Sequence, residues 1–236
     1  MNTTFTKLSV LIAVSLLAIG CARDPSKDVA AAKVSPAKTA KTADTPAPKA
    51  ATKPAAEAKP TAAAATAAAK SIQLGGAIVF IGSKVTGSHT NRFNEWSGEA
   101  KMGAKPEDTT FNFTVKTASA EADYLDRKPW SGKLQKHLLS EDFFHVTKFP
   151  TATFESTAIK AKTGDAKWSH TVDGKLTIRG VTKDISFPAK INTTPTFSAQ
   201  TEFSINRKDF GIVYKGKADD LVREGVVLKI DLKPKS

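Results

Sequence analysis

From residue 71 onward the chain alternates apolar and polar side chains with a period of two, in short segments separated by turn residues. Phe111, Phe113 and Val115 oppose Thr110, Asn112 and Thr114. The same period runs through Trp168, His170 and Val172, through Leu176 and Ile178, and through Ile185, Phe187, Ala189 and Ile191. It continues in Phe197, Ala199, Thr201, Phe203 and Ile205, and in Val226, Leu228, Ile230 and Leu232. Successive side chains of a strand point to opposite faces, so each segment reads as a strand with one buried face. Asp173-Gly174 suits a two-residue type I′ hairpin, and Gly164-Asp165 suits a turn between the preceding pair. Ile78 to Val85 is almost continuously apolar around Gly82, which predicts a bent strand or one covered on both sides. Pro129 to Phe144 has helical spacing and no β-branched residue, so a helix should interrupt the strands there. Asp219 to Glu224 predicts a further short turn of helix. An all-β antiparallel domain of eight or nine strands follows, and periodicity leaves a closed up-and-down barrel and a two-layer sandwich both open. The barrel has the advantage of exposing no edges, and at about eight strands its interior is filled by side chains or holds one slender ligand.

The boundary of this domain comes from composition. Of 18 aromatic residues only Phe5 precedes residue 71, whereas residues 30 to 70 carry 19 alanines and five prolines. That segment has almost nothing to bury, and prolines 36, 46, 48, 54 and 60 interrupt any helix its alanines favour. Residues 21–70 are therefore expected to be a disordered tether, reaching roughly 35–45 Å from end to end and letting residues 71–236 leave the membrane to which the chain is fixed.

The expected fixing point lies just before it. Residues 1–20 have the layout of a signal peptide, with Lys7 followed by an uncharged stretch of 13 residues from Leu8 to Gly20. Such a stretch is too short to serve as a spanning helix. Ala18-Ile19-Gly20-Cys21 resembles a bacterial lipobox, with Ala18 where a large aliphatic residue is usual and Leu17 one step earlier. The resemblance implies that Cys21, the only cysteine, carries a lipid and begins the mature chain. Ala22 favours sorting to the outer membrane, so the expected location is the periplasmic side of a bacterial envelope.

Three further segments resemble the YceI-like family. His137-Leu138-Leu139-Ser140-Glu141-Asp142-Phe143-Phe144, continuing through Lys148-Phe149-Pro150-Thr151-Ala152-Thr153-Phe154, is similar to its H-L-x-S-x-D-F-F-D-x-x-x-Y-P-x-x-x-F signature. Leu176 to Lys183 is similar to its L-T-I-x-G-V-T-K strand and turn, and Ile205-Asn206-Arg207-Lys208-Asp209-Phe210-Gly211 to its I-N/D-R-x-x-F-G. The segments occur in family order. They imply a lipocalin-like barrel over about 72–233 whose interior accommodates a polyisoprenoid or another long-chain amphiphilic lipid. His145 stands where the family usually has aspartate, and Gly82 to His89 departs from its common form.

An apolar cavity of that kind would be lined by large apolar side chains. The candidates are Phe80, Phe111, Phe113, Trp130, Leu138, Phe143, Phe144, Phe154, Trp168, Phe187, Phe203 and Phe210. Arg207 is the candidate contact for a charged headgroup, set against an ion pair with Asp209 or a surface role. His137 and Asp142 are expected to fix the helix to its loop, and motion of residues 130 to 150 is the expected gate. No catalytic constellation is present: the histidines at 89, 137, 145 and 170 lack metal-protease spacing, and no nucleophile elbow, P-loop or dinucleotide glycine motif occurs. No cofactor is implied, and a metal site assembled from His89, His137 and His145 with a carboxylate is a minor alternative. Export and a domain charge of only +6 argue against nucleic acid. Expected partners are therefore the lipid ligand and the membrane; the sequence leaves open whether two barrels pair as a homodimer. The rival readings are a ligand-free structural or stress-response envelope lipoprotein and an enzyme acting on a lipid held in the barrel.

Overall fold

A computed structural model describes residues 22–36 and 70–236. Strands β1 (Ala30–Ala31) and β2 (Lys33–Pro36) precede β3 (Lys70–Lys84), β4 (Gly87–Phe93), β5 (Trp96–Met102), β6 (Thr110–Lys116) and β7 (Ala120–Glu121). Helix α1 (Ser131–Leu139) separates these from β8 (Thr151–Ala161), β9 (His170–Ile178), β10 (Val181–Asn192), β11 (Ser198–Asn206), β12 (Gly216–Lys217), β13 (Asp220–Leu221) and β14 (Gly225–Pro234). Eight of them close an antiparallel barrel in the order β3, β5, β6, β8, β9, β10, β11, β14, with β14 pairing back onto β3. Burial follows the period of two: in β6, Phe111, Phe113 and Val115 are buried while Thr110, Asn112 and Lys116 face solvent.

The β9–β10 hairpin turns at Arg179-Gly180, both with positive φ (51° and 71°) as a type I′ turn requires, and the expected turn at Asp173-Gly174 is corrected. Gly174 lies inside β9 because nothing larger fits. A Cβ there would stand 2.5 Å from the Glu155 carbonyl oxygen and from the Phe154 ring, beside the bulge in β8 between Ser156 and Ala158. Gly174→Ala should therefore overpack the wall and cost roughly 1–3 kcal/mol, read as a lower denaturation midpoint. Gly164 and Asp165 do lie in the loop before β9, where the Asp165 carboxylate accepts the Lys167 and Trp168 amides at 2.9 and 3.1 Å.

Asp219 to Glu224 forms no helix. Asp220 and Leu221 make the hairpin strand β13, because the Asp220 carboxylate is held by the Thr86 amide (3.2 Å), the Thr86 hydroxyl (2.9 Å) and the Lys84 ammonium. Helix α1 is shorter than Pro129 to Phe144. It begins after Trp130 and ends at Ser140, and the chain then turns back through His145 in the left-handed region at φ 48°, with the His145 amide donating to the Ser140 carbonyl.

The N-terminal segment gives the largest correction. Residues 22–36, expected to belong to the tether, pair with the barrel, while the expected signal peptide (1–20), Cys21 and residues 37–69 lie outside the described residues. Strands β10 and β11 pair only from Lys190 to Asn192, opposite Ser198 to Gln200. Beyond that they part, and β1 and β2 fill the gap: β1 pairs parallel with Phe203 and Ser204, and β2 pairs antiparallel with Lys183 to Ser186. The split starts at Pro188, which has no N–H to offer the neighbouring strand. Ala32 and Val34 pack on the main core from this position, and the Ala32 amide donates to the Ser204 carbonyl at 2.8 Å.

Candidate functional site

The barrel interior is filled at one end and hollow at the other. Phe111 packs on Phe154 and Phe197 at the filled end, with ring centroids 5.7 and 6.4 Å apart, and Phe187 stacks on Phe203 at 4.2 Å. A second, smaller core of Phe80, Ala120, Ala122 and Leu138 seats α1 over the opposite end. Between the two lies an apolar cavity of about 410 Å³, within the roughly 300–1,000 Å³ typical of small-molecule sites. On β3 alone its wall runs from Ile78 to Lys84, which at strand rise is about 20 Å.

Ten of the twelve expected aromatic and aliphatic side chains line this cavity: Phe113, Phe154, Phe187, Phe203 and Phe210 on the barrel walls and floor, Phe80 on β3, and Trp130, Leu138, Phe143 and Phe144 from α1 and its loops. Phe111 and Trp168 do not. Phe111 is spent in the filled end, and Trp168 lies in the loop before β9 with the Lys167 ammonium 4.7 Å from its ring centre. The sequence reading missed Ile78, which shares the inward parity of Phe80, and Val226, Leu228 and Ile230, which were already visible in the β14 alternation. It also missed Gly82, where a Cβ would meet nothing within 4 Å. The hollow exists partly because this inward position carries no side chain.

Arg207 lines the cavity, and its guanidinium is engaged by the protein itself. It donates to the carbonyls of Arg223 (2.9 Å), Ile212 (2.6 Å) and Val222 (3.0 Å), is 3% exposed, and makes no ion pair with Asp209. Burial pulls its pKa below the ordinary arginine value. Its observed role is to tie its own turn to the segments at Ile212 and at Val222–Arg223. Asn206 starts the same turn by accepting the Lys208 amide at 2.9 Å, and Gly211 ends it at φ 74°, which gives a physical reason for the spacing of Asn206, Arg207, Phe210 and Gly211.

Two polar residues of the wall, His89 and Asn91, belong to a compact network with Asp123 and Ser131. His89 Nδ1 meets Asp123 Oδ1 at 2.9 Å, the Ser131 hydroxyl donates to Asp123 Oδ2 at 2.8 Å, and the Asp123 amide donates to Asn91 Oδ1 at 3.2 Å. Ser131 bonds the carboxylate and not the imidazole, so the order of a Ser-His-Asp relay is not formed. His137 Nε2 meets Asp142 at 2.8 Å and its ring packs against Phe143 and Tyr214, fixing the helix to its loop. His145 instead faces Phe149, and among the described residues no three His, Cys, Asp or Glu side chains converge on one point. At the rim, the hydrogen bond from Lys84 holds the Asp220 carboxyl below the usual carboxylate range.

Fold and cavity together define a hollow antiparallel barrel, closed by its own core at one end and roofed by a helix at the other. A family model described as the YceI-like domain matches residues 55–233. A UPF0312 protein of Pseudomonas fluorescens is 36% identical over 155 residues, covering 58% of this chain and 73% of that relative. A UPF0312 protein of Shewanella putrefaciens is 36% identical over 152 residues, covering 57% and 73%. The crystal structure of Burkholderia cenocepacia BcnA superimposes with a TM-score of 0.53 at 24% identity, over 67% of this chain and 96% of that one. The chain belongs to the YceI-like family.

Proposed function

We propose that the protein binds one polyisoprenoid or similar long-chain amphiphilic lipid and sequesters or carries it in the bacterial cell envelope, making and breaking no bond. The cavity carries this reading: it is elongated and walled chiefly by aliphatic and aromatic side chains, with polar groups such as Lys84, His89, His137 and Asp220 set among them. Each CH₂ moved from water into such a space contributes about 0.8 kcal/mol, so a chain of a few isoprene units binds tightly with little help from its head. Family membership supports the same class of ligand. The signal-peptide layout and the Cys21 lipobox support a lipid anchor and a periplasmic location, more simply at the outer membrane. Helix α1 and the loop to residue 150 form the gate in this reading, since Trp130 is half exposed and at the same time part of the cavity wall.

Organic extraction of the purified protein followed by mass spectrometry tests it. The expected result is a long-chain isoprenoid or comparable amphiphile in near-stoichiometric amount, recovered chemically unchanged after reloading. A protein that yields no lipid and takes none up from added polyprenol would overturn the reading, and a chemically altered polyprenol would replace it with an enzymatic one.

A further inference from the structure

Four large apolar side chains stand exposed among the described residues, Leu125, Trp130, Val213 and Leu221. Single exposed apolar residues scattered over a surface are ordinary. These four share one end of the barrel. Trp130 lines the cavity, Val213 lies between the lining residues Ile212 and Tyr214, and Leu221 lies between the lining residues Asp220 and Val222. Leu125 belongs to the loop between Asp123, bonded to the wall residue His89, and Trp130.

The same rim is basic. Segments 84–89, 123–137 and 213–222 contain seven Lys and Arg against four Asp. Three of the four are engaged: Asp123 by His89 and Ser131, Asp126 by Lys128, Asp220 by Lys84. Lys133, Lys136, Lys215 and Lys217 are exposed around the opening. The N-terminal segment also begins here. The Ala22 amide donates to the Val85 carbonyl at 3.1 Å, the Val85 amide donates to the Leu221 carbonyl at 3.2 Å, and Arg223 donates to the Ala22 carbonyl. The residue that follows Cys21 is thus fastened beside one of the four apolar tips.

We infer that this end of the barrel docks on a bilayer containing anionic phospholipid, with the apolar tips in the interfacial layer, the lysines at the headgroups and the cavity mouth against the membrane. Trp at the water–lipid boundary and lysines reaching to headgroups are the expected division of labour on such a face. The inference deepens the carrier reading and rests on it for its purpose, since a mouth held at the bilayer passes a greasy chain inward without exposing it to water. The docking geometry stands separately from that purpose.

Fluorescence of the full-length chain on phosphatidylcholine vesicles with brominated acyl chains, with and without phosphatidylglycerol, tests it. Bromine should quench Trp130, seen as a signal missing from the Trp130→Phe variant, and more strongly with phosphatidylglycerol present. Replacing Leu125, Val213 and Leu221 together by serine should abolish the Trp130 quenching while leaving the thermal midpoint unchanged. Quenching reports the depth of Trp130 and not attachment, so an acyl group on Cys21 does not imitate it. Equal quenching of parent and Trp130→Phe overturns the docking face, as does a parent that is dimeric in solution and made monomeric by the triple variant, which would assign the face to a second copy. Quenching indifferent to phosphatidylglycerol overturns the anionic assignment. Lipid extraction from the same samples separates the two readings: a triple variant that keeps its lipid but does not dock supports both, whereas a chain that docks and holds no lipid removes the carrier and keeps the docking.

Discussion

Gly82→Leu should weaken uptake of the proposed lipid sharply and leave the barrel folded. Gly82 lies on the inward parity of β3 with Phe80, lines the cavity, and offers a Cβ nothing to strike within 4 Å. A leucine side chain there would take the space of several ligand methylenes. Displacing about four of them removes roughly 3 kcal/mol of transfer free energy, about a hundredfold in Kd. Stability should hold or rise slightly, because the substitution adds a buried apolar group and reduces the freedom of the unfolded chain. Titration with a fluorescent polyprenol analogue, alongside a thermal melt, reads both effects. Unchanged affinity in a folded variant would place the ligand outside this cavity.

Arg207→Ala should have the largest effect on stability. The guanidinium satisfies carbonyls on Ile212, Val222 and Arg223 from within the wall, so its removal leaves three acceptors without their donor and a void in their midst. Breaking a buried charged network of this kind costs roughly 3–5 kcal/mol. Arg207→Lys should recover little, because one ammonium cannot reproduce the planar fork that reaches three oxygens. Chemical denaturation gives the magnitude, and hydrogen exchange should show protection lost first in the segments around Ile212 and Val222. A loss below about 1 kcal/mol would mean that water replaces the fork once it is removed.

The period of two in residues 110–116, 185–191, 198–205 and 226–232 was enough to determine these strands and their buried faces, because a side chain's face in a strand is decided locally by parity. The hydrogen bond between His137 and Asp142 was legible for a similar reason, since both lie within one turn of the end of α1. What the alternation could not distinguish is a side chain that fills the barrel from one that lines a hollow. Phe111 and Phe113 share one face of one strand, yet only Phe113 reaches the cavity. Nor could local pattern show that Gly174 makes room for Phe154, or that Arg207 is turned inward onto carbonyls, since those partners are distant in sequence.

The N-terminal segment is the clearest case. Its alanines and lysines advertise no core, and the sequence reading made it a leash. Pro188, in the middle of an otherwise regular strand, was the one available sign that β10 has an open edge there. Docking of residues 30–36 is carried mainly by backbone hydrogen bonds, which every residue except proline can make, so composition says almost nothing about it. Apolar periodicity thus determined the strands and their buried faces, and left barrel and sandwich both open. Only the tertiary structure decided that the strands close into a barrel, where it is hollow, what seals its split seam, and that Ala22 is fastened beside Val85 and Arg223, because each of these depends on groups brought together from distant parts of the sequence.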